Sequence, residues 1–335
     1  MSVTYPRRLS LAQTPTPLQM LQRFPVTNPK APRLWLKRDD LTGAALSGNK
    51  VRKLEFVLAA AEDAGCNTVI TCGGLQSNHC RATALAGAAL GLKVHLILRG
   101  VEQEVADGNL LLGRLSGARV SSYPLEEYQY LDDLFTHWRA HYESQGDTVF
   151  KIPTGASDGI GLWGYIAAAE ELKADFKAQN IAPEAIVCAT GSGGTQGGLA
   201  VGAEVHQLNT KVWGINVCDN EQYFVDKVRE DITDWQQRYP QGFELHAMPI
   251  NVIDGYVGPG YAKATSAIFE TITLMAQAEG IILDPVYTGK AFHGLIQEIE
   301  AGRFDDCNDL VFVHTGGLFG LFPQRDEMLF PRSPI

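Results

Sequence analysis

Ala185-Ile-Val-Cys-Ala-Thr-Gly-Ser-Gly-Gly-Thr195 decides how this chain is read. Ala185 to Ala189 is an apolar run without a polar break, the pattern of a strand buried on both faces of a parallel sheet. The glycines turn the chain, and a helix is expected beyond them. Amides at the start of such a helix converge on an anion, and glycines let the backbone approach it closely. The loop lacks the Lys-Ser/Thr ending of a nucleotide P-loop and the G-x-G-x-x-G spacing, so a single phosphate suits it better than a triphosphate or a dinucleotide. A turn that serves packing alone has the same composition, and both readings stand at this point.

The alternation continues outward. Val51, Leu54, Val57, Leu58 and Ala61 recur at helical spacing, and Thr68 to Cys72 reads as a short buried strand. A helix is expected over about 78–90 and a strand over 93–98, followed by helix-like 107–116, strand-like 118–122, helix-like 126–144 and strand-like 148–152. A long helix over about 161–177 and strands at 211–217 and 309–313 complete the series. Repeated βα units predict an α/β protein: two open, mostly parallel twisted-sheet lobes with helices on both faces. Open parallel sheets bind ligands beyond the C-terminal ends of their strands, so the active cleft is expected between the lobes.

At 335 residues, with 45% hydrophobic and 20% charged residues, the chain can bury a large core in one to three domains. A formal charge of −10 argues against nucleic acid or an anionic membrane as partner. No apolar run approaches the length of a membrane span. Arg7-Arg8 faintly resembles a twin-arginine export signal, but Ala12-Gln-Thr-Pro-Thr-Pro17 breaks any apolar segment after it. The six cysteines show no ligand spacing and are expected as buried free thiols in a reducing cytoplasm. His137 and His141 form the one i, i+4 histidine pair, better read as a solvated helix face than as a metal site.

Four further places carry chemistry-bearing residues. Lys50 follows Ser47-Gly48-Asn49 and opens a helix, where the helix dipole disfavours a positive charge by up to ~1 kcal/mol. A neutral amine is what a Schiff-base nucleophile needs, and a lysine reaching to the surface is the plainer alternative. In Gly73-Gly-Leu-Gln-Ser-Asn-His79, Ser77 or Asn78 suits a helix N-cap, and the amides of Asn78 and His79 would face a small carboxylate. Asp284-Pro-Val-Tyr-Thr-Gly-Lys290 precedes a helix and presents Tyr287, either a proton donor or a packing aromatic. His314-Thr-Gly-Gly317 follows the strand ending at Val313, where the Thr315 hydroxyl reaches a ligand or closes a turn.

Taken in order, these segments resemble the fold-type II pyridoxal-phosphate enzymes, the tryptophan-synthase β-like group. Within it they are most similar to the D-cysteine desulfhydrase / 1-aminocyclopropane-1-carboxylate deaminase family. The resemblance runs through Pro15-Thr-Pro-Leu18, Lys37-Arg-Asp-Asp40, Gly48-Asn-Lys50 with Arg52-Lys-Leu-Glu55, Gln76-Ser-Asn-His79, Gly191-Ser192 with Gly194-Thr195, Pro259-Gly-Tyr261, Asp284-Pro-Val-Tyr287 and His314-Thr-Gly-Gly317. It implies pyridoxal 5'-phosphate as cofactor, Lys50 as the Schiff-base lysine in preference to Lys53, and Asn78 beside the cofactor's phenolic oxygen. Thr190, Gly191, Ser192, Gly193, Gly194 and Thr195 would cradle the phosphate, with Thr315 at the pyridine nitrogen. Ser77, with Gln76, Asn78 and His79, would hold the substrate carboxylate, and Thr288 would lie near the substrate. Tyr261 and Tyr287 would assist proton transfers.

The resemblance also divides activities. Deaminases that open the cyclopropane ring carry Glu at the position of Thr288 and Leu at that of Thr315, whereas this chain has threonine at both, as the desulfhydrases do. The expectation is a carbon–sulfur lyase that takes D-cysteine to pyruvate, hydrogen sulfide and ammonia, with cyclopropane-carboxylate deamination and L-cysteate sulfo-lyase activity as alternatives. Ser47 and Cys80 depart from the family pattern next to the lysine and the carboxylate loop. The expected division is a large cofactor-binding domain of residues 1–50 and 161–335 and a small α/β domain of residues 51–160. A cytoplasmic homodimer acting on a small amino acid completes the expectation.

Overall fold

Short apolar runs separated by amphipathic stretches have one economical solution, strands in the middle with helices over both faces. The computed structural model of the chain describes residues 3–101 and 104–328. Among them the strands are β1 (Leu18–Met20), β2 (Arg33–Lys37), β3 (Thr68–Gly74), β4 (Lys93–Arg99), β5 (Arg119–Tyr123), β6 (Val149–Lys151), β7 (Ala185–Thr190), β8 (Lys211–Asn216), β9 (Asn251–Ile253) and β10 (Asp309–Val313). The α-helices are α1 (Asn49–Asp63), α2 (Asn78–Ala89), α3 (Gly108–Leu115), α4 (Leu125–Tyr128), α5 (Leu131–Glu143), α6 (Trp163–Gln179), α7 (Gly194–Val205), α8 (Glu221–Arg238), α9 (Ser266–Glu279) and α10 (Thr288–Glu300).

The strands form two sheets. The larger has six strands in the order β1-β2-β10-β7-β8-β9, parallel throughout except for β1, which runs antiparallel to β2. The smaller has four parallel strands in the order β5-β4-β3-β6, all drawn from residues 68–151. This is the expected α/β architecture.

Period-two alternation fills both faces of the larger sheet. Leu34, Leu36, Val187, Leu310 and Phe312 pack with α9 and α10 on one side. Trp35, Ile186, Cys188, Val311 and Val313 pack with Tyr165 and Leu172 of α6 on the other. Strands covered on both faces are continuous apolar runs, which is why β7 and β10 are plain in the sequence.

The structure adds to and corrects the expectation. Strands β1, β2 and β9 and helices α8 and α9 extend it. The single helix expected over 126–144 is two, α4 and α5, separated at Gln129 and Tyr130. All six cysteines are free, but only Cys72, Cys80 and Cys188 are buried; Cys66, Cys218 and Cys307 are half-buried. Among the described residues no helix is long and apolar enough to cross a membrane.

Helix α1 carries Lys50 and is held from below. Its Val51, Leu54, Val57, Leu58 and Ala61 are all fully buried. It crosses α6 with backbones almost in contact: a Cβ at Gly164 would lie 2.6 Å from the Arg52 carbonyl carbon and 2.6 Å from the Lys53 nitrogen. Gly164→Ala is therefore expected to push the helices apart and destabilise the fold by ~1–3 kcal/mol, read as a lowered thermal midpoint. An unchanged midpoint would mean that the crossing is looser than its geometry.

Candidate active site

Ends of strands from both sheets face one cavity of about 560 Å³. The smaller sheet contributes Gly73 and Gly74 at the end of β3, Ser77, Asn78 and His79 beyond it, and Arg99 at the end of β4. The larger contributes Thr190 to Gly193 after β7 and Thr315 and Gly316 after β10. Lys50, Asn49, Thr195, Tyr261 and Tyr287 add to the polar wall. Gln76, Gly194 and Thr288, also expected at the site, do not line it.

Lys50 is placed by its neighbours on either side. Gly48 precedes α1 at φ 91°, a conformation open to glycine, and a Cβ there would lie 2.8 Å from the Thr315 carbonyl oxygen. The Asn49 amide donates to that same carbonyl at 3.1 Å, and the Asn49 side chain donates to Thr195 Oγ1 at 2.9 Å. The Lys50 amine is lowered to about 8, chiefly by burial, with Asp284 and Cys188 pulling the other way. Desolvation at the cleft floor, more than the helix dipole, thus makes the amine deprotonatable.

Lys53 is a different lysine. It is fully buried, and its Nζ donates to the Gly155 carbonyl at 3.2 Å and to Ser157 Oγ at 3.1 Å. Burial, then the nearby Lys50, hold it well below the ordinary lysine range. Its place is beneath the glycine loop: a Cβ on Gly194 would lie 2.7 Å from Lys53 Nζ and 2.7 Å from Ser157 Oγ. Ser157 Oγ also accepts from the Gly194 amide at 3.2 Å and lies 2.8 Å from Ser192 Oγ. The N-cap residue of α7, Gly193, brings no side chain, so the first-turn amides beyond that of Gly194 are left to the loop's concavity. Three hydroxyls, a buried lysine amine and the amides of a helix start make an anion cradle rather than a bare packing turn.

Opposite, Ser77 caps α2 by accepting from the Cys80 amide at 3.2 Å, which leaves the Asn78 and His79 amides without intrahelical partners. Asn78 Oδ1 accepts from Asn109 Nδ2 at 3.0 Å. His79 Nε2 lies 2.7 Å from Thr71 Oγ1, and its buried Nδ1 has no partner among the described residues. Burial, with Lys50 and Lys53 adding to it, holds that ring neutral. Gln76 turns away from the cavity and clamps α3, donating to the Asp107 carbonyl and accepting from the Asn109 amide.

On the third side the Tyr261 and Tyr287 hydroxyls are 2.6 Å apart. Burial raises the pKa of both, that of Tyr287 well above the ordinary tyrosine value, so both rings hold their protons. Thr288 is fully buried, and its Oγ1 donates to Asp284 Oδ1 at 2.7 Å. The Asp284 oxygens also accept from the amides of Val286, Tyr287 and Thr288. Thr315, which also lines the cleft, carries a hydroxyl and no charge.

The departures at Ser47 and Cys80 lie behind the cavity wall. Arg81 donates to the Ser47 hydroxyl and carbonyl, and Cys80 packs under Gly73, where an added Cβ would lie 2.9 Å from its Sγ. Arg99, Tyr128, Ser157, Cys218, Asp219, Tyr223 and Lys227 also line the cleft and carry no motif of their own. The position of Arg99 at the end of a strand was the one signal that marked any of them.

The model of the pyridoxal-phosphate dependent enzyme family matches residues 9–316. The chain belongs to that family, and within it to the D-cysteine desulfhydrase / 1-aminocyclopropane-1-carboxylate deaminase group of fold-type II enzymes. The bifunctional D-cysteine desulfhydrase/1-aminocyclopropane-1-carboxylate deaminase, mitochondrial, of Arabidopsis thaliana is 42% identical over 333 residues, 95% of this chain and 80% of that protein. The D-cysteine desulfhydrase of Klebsiella pneumoniae (strain 342) is 38% identical over 332 residues, 96% of this chain and 97% of the relative. A crystal structure of an ACC deaminase homologue matches with a TM-score of 0.82 at 33% identity, covering 96% of this chain and 95% of that one.

The residues present fit pyridoxal phosphate. The loop after β7 offers a dianion the donors described above, and a lysine with a lowered pKa stands in the same cleft. Gly194→Ala places a methyl against Lys53 and Ser157, so cofactor affinity is expected to fall ~10-fold or more, read by titrating visible absorbance. The pH dependence tests Lys50. Its amine is protonated below about 8 and neutral above, so the rate of Schiff-base formation with added pyridoxal phosphate should rise to about pH 8 and then level off. A rate still climbing near pH 10 would indicate an unperturbed lysine.

Proposed function

We propose that this enzyme is a carbon–sulfur lyase acting on D-cysteine and releasing pyruvate, hydrogen sulfide and ammonia with the uptake of one water. The observation that carries the reading is the absence, among the described residues at the β10 end of the cleft, of any carboxylate free to face a ligand. Asp284 is fully buried, with both oxygens occupied by donors of its own loop, and Thr315 presents only a hydroxyl. Pyridoxal phosphate, when bound, supplies the electron sink that makes an amino acid's α-proton removable. With Thr315 rather than a carboxylate near it, the cofactor would supply a shallower sink, which suits expulsion of a β-substituent.

Lys50 would anchor the cofactor, and its Nζ would take the α-proton of the bound amino acid. Its lowered pKa keeps a large neutral fraction near pH 8. The amides of Asn78 and His79 at the start of α2, with Ser77, hold the substrate carboxylate. Asn49, Ser157, Ser192 and Thr195, which line the cavity, would hold the phosphate, with Lys53 bracing Gly155 and Ser157 from beneath. The Tyr261–Tyr287 pair retains its protons and delivers one to the departing sulfur atom. A small amino-acid substrate, a homodimer and a cytoplasmic location belong to the same reading.

Two measurements test it. Lys50→Ala should remove the visible Schiff-base absorbance and lower turnover by at least ~1,000-fold; a yellow, active variant would sink the assignment. Pyruvate from D-cysteine should exceed 2-oxobutyrate from 1-aminocyclopropane-1-carboxylate in kcat/KM; the reverse order would make the enzyme a deaminase.

A further inference from the structure

Lys290 is a fully buried lysine that does not line the cleft. Its Nζ donates to the Val257 carbonyl and to the Gly260 carbonyl, at 2.7 Å each. Burial lowers its pKa, with Cys218 and Asp284 acting in the opposite direction. Even a neutral amine carries two hydrogens, one for each carbonyl, so both bonds survive in either state. An apolar side chain of similar length would fill the space without desolvating an amine. The two bonds are therefore what this position supplies.

Both carbonyls belong to the segment 254–265, which joins β9 to α9 without helix or strand. It lies along one face of α10. Glu298 accepts from the Tyr256 hydroxyl at 2.7 Å. Gly294 leaves room for the same ring, since an added Cβ would lie 2.7 Å from its Cγ. Lys290 takes the two carbonyls, and Tyr287, the N-cap residue of α10, meets Tyr261. Positions 290, 294 and 298 follow one another at the spacing of a helical turn, so they form one stripe.

Gly260 immediately precedes Tyr261. The planar peptide between them contains the Gly260 carbonyl oxygen together with the Tyr261 nitrogen and Cα. A donor that fixes that oxygen fixes the backbone from which the Tyr261 ring projects. On either side φ is positive, 134° at Gly260 and 59° at Ala262, a path the chain keeps only while it is held. At the end of the ring, the Tyr261 hydroxyl lies 2.6 Å from that of Tyr287. A proton donor displaced by ~1 Å loses up to ~100-fold in rate.

We propose that Lys290 is a positioning residue for proton delivery: by holding the Val257 and Gly260 carbonyls it sets the Tyr261 hydroxyl against Tyr287 and toward the departing sulfur. This inference rests on the lyase reading. In that reaction the C–S bond breaks with its electron pair on sulfur, and the proton from the tyrosine pair completes hydrogen sulfide. Lys290 touches neither substrate nor cofactor and acts through Tyr261.

The experiment uses the holoenzyme with Lys290→Met, Tyr261→Phe and the two combined. Turnover is measured on D-cysteine, whose sulfur leaves with a proton, and on β-chloro-D-alanine, whose chloride leaves without one. In Lys290→Met, kcat for D-cysteine should fall ~10–100-fold, while KM, the visible Schiff-base absorbance and turnover of β-chloro-D-alanine hold. Tyr261→Phe should show the same contrast, and adding Lys290→Met to it should cost nothing further. Losses that multiply in the double variant, or equal losses on both substrates, would overturn the proposal. If Lys290→Met does not fold, Lys290→Gln, which keeps two hydrogens on a shorter stem, should show the same contrast with a smaller loss.

If the wild-type enzyme releases no pyruvate from D-cysteine, the lyase reading fails by itself. Fluorine NMR with 3-fluorotyrosine in place of Tyr261 then decides Lys290. Burial raises the Tyr261 pKa and outweighs the Tyr287 bond and the Arg99 guanidinium. Releasing the loop should expose the phenol, so its titration should move down toward that of free 3-fluorotyrosine in the Lys290 variant. An unchanged titration would mean that Lys290 does not place Tyr261.

Discussion

A buried cluster of charges under α1 sets the position of everything in the cleft. Arg52 donates through Nη2 to Asp39 Oδ1 at 2.8 Å and through Nε to Asp39 Oδ2 at 2.9 Å, and its Nη1 reaches Glu171 at 3.0 Å. Lys37, at the end of β2, pairs with Glu171 and Asp175 of α6, and the Tyr165 hydroxyl donates to Asp39 at 2.6 Å. Burial pushes the Asp39 carboxyl upward, but Arg52, Tyr165 and Lys37 outweigh it and hold the acid ionised. Removing one member of such a cluster strands another charge in the interior, at a cost of ~3–5 kcal/mol. The cluster joins β2, α1 and α6 two residues from Lys50, so the Lys50 amine inherits the rigidity of three elements.

This cluster also explains part of what the sequence concealed. β7 and β10 were legible because each is an apolar run covered on both faces. β2, their neighbour in the same sheet, ends in Lys37, which reads as a surface charge although it is 1% exposed. Its burial depends on acids some 135 residues away in the sequence, beyond the reach of any local pattern. β1 and β9 have three residues each, too few to show a period. α8 is the opposite case: Phe224, Val228, Ile232 and Trp235 do recur at helical spacing, but among charges dense enough to mask the stripe.

At the site, loops were more legible than their partners. Gly-rich and capping segments after β3 and β7 announce anion binding through the chemistry of helix starts, and the structure brings Lys50, Asn78, Thr195, Tyr261, Tyr287 and Thr315 to one cavity. Lys53 stood in the sequence only as a rival to Lys50, since nothing local says that it points to Ser157. Gln76 and Thr288 sit inside convincing motifs, yet one braces α3 and the other closes the Asp284 turn. Motif membership gave the neighbourhood, while side-chain direction required the packed fold.

The strand order has a consequence for how the enzyme is made. β10, the last strand among the described residues, lies between β2 and β7, which precede it by many residues. Until residues 309–313 have emerged from the ribosome, the larger sheet has a gap at its centre, and the carbonyl of Thr315 is not there to receive the Asn49 amide. The smaller sheet needs nothing beyond residue 151 for its own strand pairing and is free to form early. Lys50 is thus synthesised long before the strand that completes its setting, so the cleft around it is finished only when β10 has joined β2 and β7.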